Sequence, residues 1–137
     1  MLHIHHMLNP WAILVSAVVL WLLGALWFSP ALFAKPWSAI VGRPMGDKPK
    51  GVVHGMLSSF IGDLFVALVL QHIVVWGQAH SFLHGAFIGF LCWLAFIAAV
   101  HYPQRIYEGR PFKYFVIVAG YWLVGLTLIG GILAIWR

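Results

Sequence analysis

Three long stretches of this chain contain no Asp, Glu, Lys or Arg, and they constrain the fold more than any other feature. They cover residues 1–34, 64–104 and 114–136 of 137. A soluble domain carries roughly 25% charged residues, whereas this chain carries 8%. So few polar side chains could not cover the apolar surface of a soluble fold. Because lipid lets apolar side chains face outward, the sequence predicts an all-α membrane protein with a single transmembrane domain, residues 1–137.

The charge-free stretches divide into four transmembrane helices. A span needs about 20 residues, so residues 64–104 hold two spans, separated by a short polar turn at 77–81. The pair Ser29-Pro30 ends the first helix. The predicted helices cover residues 10–29, 54–76, 82–101 and 113–136. Residues 35–53 and 103–113 are predicted to be loops, the first with some interfacial character.

The basic residues predict the orientation of these helices. The positive-inside rule places loops rich in Lys and Arg in the cytoplasm, which leaves both termini outside. The expected location is the cytoplasmic (inner) membrane of a bacterium. Basic residues confined to short loops do not resemble a phosphate-binding surface, so nucleic acid is not an expected partner. Seven of the eight Lys and Arg residues lie in the two loops: Lys35, Arg43, Lys48, Lys50, Arg105, Arg110 and Lys113.

Similar segments follow the first and third predicted helices, and they suggest an internal repeat. Residues 28–37 and 102–112 both read aromatic, Pro, aliphatic, aromatic, basic, Pro, aromatic. Two parallel helical hairpins, related about the membrane normal, would produce this pattern. The alternative is that helices leaving a membrane commonly end in Pro, aromatic and basic residues.

Several motifs resemble the family catalogued as domain of unknown function 1761. Residues 24–33 (GALWFSPALF) are similar to the motif that closes that family's first helix, and residues 108–113 (EGRPFK) are similar to its last loop. Ala119-Gly120-Tyr121 and residues 130–133 (GGIL) resemble its last helix. Trp122 stands where family members often have His. The resemblance implies a small multi-helix membrane protein and implies no activity.

Asp63 is the strongest candidate for a functional residue. A carboxylate near the middle of a span costs roughly 2.5–3.5 kcal/mol on insertion scales, so it faces protein or water. One interpretation is a proton or cation site that includes Ser59, which shares its helix face, and Tyr121 and Thr127 of the last helix. The other is a structural hydrogen bond from Asp63 to Tyr121 or Thr127.

The histidines are a second candidate site. The predicted topology places six of the eight at or near the outer face. His80 and His84 share a face if their helix begins at His80, and this spacing can hold one metal ion. His3, third from a free amino group, suits Cu(II), and His5 and His6 lie beside it. Copper, zinc and haem iron are the candidate cofactors. The alternative is that these histidines are ordinary interfacial residues.

The sequence leaves several classes of function open. We expect a transport or conduction unit that forms a homo-oligomer, because four helices alone enclose little water. The alternatives are an accessory or sensor protein in a larger membrane complex and an outward-facing metal or haem binder. No enzyme motif is present, so no catalytic residue is predicted. Gly85-x-x-x-Gly89 and Thr127-x-x-x-Gly131 are predicted to let helices approach closely.

Overall fold

A computed structural model describes residues 8–44 and 50–136, and this part of the chain contains helices and no strand. Four of its five helices are long and apolar enough to cross a membrane, as predicted. We divide the fourth into α-helical Phe82–Trp93, a π turn at Leu94–Ala98 and α-helical Ala99–Tyr107. The helices are α1 (Pro10–Trp27), α2 (Ala34–Val41), α3 (Val52–Trp76), α4 (Phe82–Tyr107) and α5 (Phe112–Ile135).

Helix α5 is the centre of the bundle. It contacts α1, α3 and α4, and 50% of its apolar span is buried, against 11–22% for the other three long helices. Consecutive long helices form two neighbouring antiparallel pairs, α1 with α3 and α4 with α5. The first turn of α1 is fixed by Asn9, whose side chain accepts hydrogen bonds from the Trp11 and Ala12 amides, and by Pro10, which needs no donor there.

Glycines set the distance between α4 and α5. A Cβ atom added to Gly85 or Gly89 would overlap the carbonyl groups of Gly130 or Leu126, so the two backbones are in direct contact. A methyl group on Gly131 would likewise overlap the Phe82 ring. The predicted close approach therefore occurs within the bundle, between α4 and α5.

The third helix was predicted to end at about His101, whereas α4 continues through Pro103 to Tyr107. Proline inside a helix removes a backbone hydrogen bond and costs about 3 kcal/mol. Contacts on both sides of the proline offset this cost. The Tyr102 ring packs edge-on against Phe115 with centroids 5.5 Å apart, and Arg105 donates to the Arg110 carbonyl oxygen at 3.4 Å.

The π turn at Leu94–Ala98 changes which face of α4 points inward. One extra residue in a turn rotates everything beyond it by about 100°. In an uninterrupted α-helix, Phe96 and Val100 would lie on the same inward face as Gly85 and Gly89. In this structure they are 68% and 51% exposed. Ala98 is buried instead. Beyond the turn, the inward face of α4 therefore passes through the polar residues His101 and Arg105.

The first basic segment, predicted as a loop, contains the short helix α2. Pro36 lies in its first turn, where the missing N–H is not needed. Gly42 ends the helix with φ +77°, and its amide donates to the Ser38 carbonyl oxygen at 2.9 Å. Trp37 packs edge-on against Phe28 with centroids 5.8 Å apart. The Pro, Gly and Lys content suggested a loop, but these residues are placed where a short helix begins and ends.

The two segments of the suggested repeat adopt different structures. After α1 the chain turns at residues 28–33 and then starts the separate helix α2. In the matching segment, residues 102–107 with Pro103 stay within α4, and the chain leaves the helix only after Tyr107. The same pattern of Pro, aromatic and basic residues therefore occurs in two different local structures.

Candidate functional site

Buried polar side chains lie between α1, α3 and α5, and the half-buried Asn9 lies at one end of them. We call this group the polar track: Asn9, Ser16, Asp63, Gln71 and Tyr121. Ser16 and Gln71 are fully buried, and Asp63 is 5% exposed. Buried alanines fill the space along it, Ala12 and Ala17 on α1 and Ala67 on α3. The track is thus a set of polar residues inside an otherwise apolar bundle.

Helical spacing and two hydrogen bonds show where each residue of the polar track lies along the bundle axis. The Asn9 amide donates to Gln71 Oε1 at 3.1 Å, and Trp21 Nε1 donates to the Met56 carbonyl oxygen at 3.2 Å. These bonds join the antiparallel helices α1 and α3 at two levels. Ser16 and Asp63 both lie midway between the levels, about 10–12 Å from the Asn9–Gln71 bond at 1.5 Å per residue.

The polar groups of the track are poorly satisfied. Ser16 Oγ and Gln71 Nε2 are buried without a hydrogen-bond partner. Within residues 8–44 and 50–136 no group hydrogen-bonds to the Asp63 carboxyl. Each unsatisfied buried group costs about 1–3 kcal/mol. An ion, a proton or water entering the track would find free donors and acceptors there.

Tyr121 closes the track at the end where α1 stops. Its hydroxyl donates to the Leu20 carbonyl oxygen at 2.8 Å and lies within electrostatic range of Asp63. Its ring contacts Phe28 and Trp122, with centroids 5.8 and 4.9 Å apart. Trp27 packs beside it and donates from Nε1 to the Ile117 carbonyl oxygen at 2.9 Å. Aromatic rings therefore separate Asp63 from the end of the bundle where α1 stops.

The structure brings together only part of the predicted polar site. Asp63 and Tyr121 lie together, but Ser59 is on an exposed part of α3. Thr127 is half-buried, and its hydroxyl donates to the Leu123 and Val124 carbonyls of its own helix, at 2.7 and 3.1 Å. The hydroxyl protons of Tyr121 and Thr127 are thus directed to backbone oxygens and not to Asp63.

Sequence reasoning missed Ser16 and Gln71. Gln71 is two turns beyond Asp63, at positions i and i+8 with Ala67 between them, which places all three on one helix face. Ser16 has the matching spacing from Ala12 and Leu20 on α1. Small and polar residues repeated at this spacing inside an apolar helix were the available signal.

The predicted histidine site does not take the expected helical form. Helix α4 begins at Phe82, with Ser81 as its N-cap accepting from the His84 amide. His80 therefore precedes the helix and does not share a helix face with His84; both are exposed. No three His, Cys, Asp or Glu side chains in the described ranges could hold a metal ion together. His3, His5 and His6 lie outside the described residues.

The two basic segments lie at the same end of the bundle. Arg110 Nη1 donates to the Ile40 carbonyl oxygen of α2 at 3.0 Å, which joins the last loop to the first. The Arg110 guanidinium also lies 5.2 Å from the centre of the Tyr114 ring. Lys48 lies outside the described residues. The described basic residues at this end are Lys35, Arg43, Lys50, Arg105, Arg110 and Lys113.

Comparison with known proteins identifies the family of this chain. No curated protein and no solved structure matches it. Residues 11–134 match the family described as Protein of unknown function (DUF1761), and this range includes all four long apolar helices except the first residue of α1 and the last of α5. The resemblance of the residue motifs is therefore confirmed over nearly the whole length, and the chain belongs to the DUF1761 family.

Proposed function

We propose that this protein is a membrane transport unit, and not an enzyme, that carries protons or small cations through the polar track with Asp63 as the binding group. The observation that supports this most is the carboxyl of Asp63, which is 5% exposed and hydrogen-bonds to no described residue. It lies level with the hydroxyl of Ser16, which is buried without a partner. A purely structural carboxyl would be expected to hold a hydrogen-bond partner, since an unsatisfied one destabilises the fold.

Polar residues of the track lie on one side of Asp63 and aromatic rings lie on the other side. This asymmetry supports a stepwise mechanism. Gln71 and Asn9 lie between Asp63 and the end of the bundle where α1 begins, about 12 Å from Asp63. Towards the other end the path meets Trp27, Phe28 and Tyr121. A cation or proton would enter from the first side and reach Asp63, and these rings would then have to move before it left on the other side.

Part of α3 supports an oligomer as the working form. All residues from Gly51 to Ser59 are exposed, and a Cβ added to Gly55 or Gly62 would meet no atom within 4 Å. Small residues on an exposed helix face allow close packing in a membrane. A second copy of the chain would cover this face, and an accessory role in a larger complex is the second candidate function that the same face supports.

We further propose that the end of the bundle with the basic residues is cytoplasmic and that both termini are outside. In a Cys92→Ala background, Lys50→Cys and His80→Cys should be labelled from opposite sides of the membrane. Both positions are exposed. An impermeant thiol reagent applied to intact cells is expected to label position 80 and not position 50. The reverse result would invert the proposed topology.

Flux through liposomes tests the transport proposal directly. Purified protein should dissipate an imposed gradient of H⁺, Na⁺ or K⁺, followed with ion-sensitive dyes. Asp63→Asn should reduce that flux to the level of protein-free liposomes, because the amide has a similar size and cannot bind a proton or cation as a carboxylate does. Glu108→Gln makes the same change at an exposed position and should transport normally.

Two outcomes would contradict this proposal. Wild-type protein that moves none of the three ions is not a transporter of this class. Flux that survives Asp63→Asn unchanged would show that the ions take a route without the carboxyl.

A further inference from the structure

A second polar site lies at the basic end of the bundle, away from the polar track. A cavity of about 140 Å³ opens between the end of α4 and the start of α5, several times the ~30 Å³ that one water molecule occupies in the liquid. Its lining includes Arg105 and Glu108 from the α4 side and Phe115 from α5. The π turn contributes to this arrangement, because it rotates Arg105 towards α5.

Arg105 lines this cavity and has an unused hydrogen-bond donor. Its guanidinium carbon lies 4.5 Å from the centre of the Tyr102 ring and 5.3 Å from that of Phe112, so two aromatic rings hold it in place. Nη1 donates to the Arg110 carbonyl oxygen at 3.4 Å, but the buried Nε has no partner in the described part of the chain. An anionic oxygen is the acceptor that suits such a group, since charged partners form the stronger hydrogen bonds.

Glu108 brings the opposite charge to the same cavity. It accepts a hydrogen bond from Gln104 Nε2 at 2.9 Å. Although Arg105 and Glu108 line one cavity, they form no ion pair with each other or with any other residue described. A ligand that carries a negative and a positive group a few atoms apart would satisfy both.

The position of the cavity indicates where this ligand resides. The Tyr102 and Phe112 rings that hold Arg105 are 45% and 56% exposed, so apolar surface lies next to the cavity. Aromatic and basic residues at the end of membrane helices mark the level of the lipid headgroups. A ligand bound here would keep its polar end in the cavity and its apolar part along the helices.

We propose that this cavity binds the phosphoethanolamine headgroup of a membrane lipid, with the phosphate on Arg105 and the ammonium group on Glu108. Phosphatidylethanolamine has both charges, separated by two carbon atoms. Phosphatidylcholine has the same phosphate, but its trimethylated nitrogen cannot donate a hydrogen bond to Glu108. Phosphatidylglycerol has the phosphate and no cation. The site is separate from the polar track, so the proposal does not depend on ion transport.

Lipid competition measured by native mass spectrometry tests this assignment. Protein in mixed micelles with equal amounts of the three lipids should retain phosphatidylethanolamine about tenfold over phosphatidylcholine, the difference expected for one charge-assisted hydrogen bond. Glu108→Gln should remove this preference and weaken phosphatidylcholine binding less than phosphatidylethanolamine binding, because only the latter loses a charge-assisted hydrogen bond. Arg105→Gln should weaken retention of all three lipids. Arg43→Gln, which removes an exposed basic residue at the same end, should change nothing.

Several outcomes would overturn the proposal. Equal retention of the three lipids by the wild type would show that no headgroup is recognised. A preference for phosphatidylglycerol that survives Glu108→Gln would assign the site to anionic lipids. Soluble phosphoethanolamine or inorganic phosphate that displaces the lipid completely at equal concentration would identify a water-soluble ligand. Because Glu108 is exposed, Glu108→Gln should fold normally, and its melting temperature serves as the check.

Discussion

Gly89→Ala is expected to destabilise the protein by about 1–3 kcal/mol, the usual range for overpacking a well-packed site. The added methyl group would overlap the Leu126 carbonyl group and crowd the Thr127 Cα atom of α5. These are backbone atoms, so no side chain can rotate away and the two helices must separate. The separation should also weaken the bond from Trp93 Nε1 to the Ala119 carbonyl oxygen, now 2.8 Å.

The same substitution at two other glycines provides matched controls. At Gly62 an added Cβ meets no atom within 4 Å, so Gly62→Ala should be neutral or stabilising by about 0.5–1 kcal/mol, because alanine favours the helix. At Gly125 the nearest atom is the flexible end of Leu20, which can move, so Gly125→Ala should lie between the two. Unfolding in detergent, followed by circular dichroism, gives the order. Equal stability of Gly62→Ala and Gly89→Ala would contradict the close packing of α4 on α5.

The features that could be predicted from the sequence are those set by local composition. Charge-free length predicted four long apolar helices, and the spacing of Gly85 and Gly89 predicted a close helix approach. Asp63 was found because a single charge in a long apolar run is easy to see. Each of these signals is contained in a few consecutive residues and needs no knowledge of which helices are neighbours.

The features that were missed depend on contacts between distant residues. The segment from Pro103 was predicted to be a loop, and the contacts of Tyr102 and Arg105 explain why α4 continues through it. The π turn has no clear sequence signal, yet it decides that Arg105 faces α5. That Ser16 lies level with Asp63 follows only when α1 and α3 are aligned by the Asn9–Gln71 bond. The polar track is therefore a property of the packed bundle.

Ser16→Ala is expected to change stability and transport in opposite directions. The Ser16 hydroxyl is fully buried and has no partner, so its removal should stabilise the protein by about 1 kcal/mol or more. In the proposed transport function, the same hydroxyl helps to hold an ion or water beside Asp63. Its loss should therefore lower the ion flux through liposomes, although the protein unfolds at a higher temperature.

Ser58→Ala is the matched control, since the Ser58 hydroxyl is exposed and donates to the Gly55 carbonyl oxygen at 3.1 Å within its own helix. Neither stability nor flux should change there. A stabilised Ser16→Ala with unchanged flux would exclude Ser16 from the transport path. A destabilised Ser16→Ala would show that the hydroxyl has a partner in the membrane. Only a gain in stability together with a loss of flux fits a polar group that is needed for transport and lowers the stability of the folded protein.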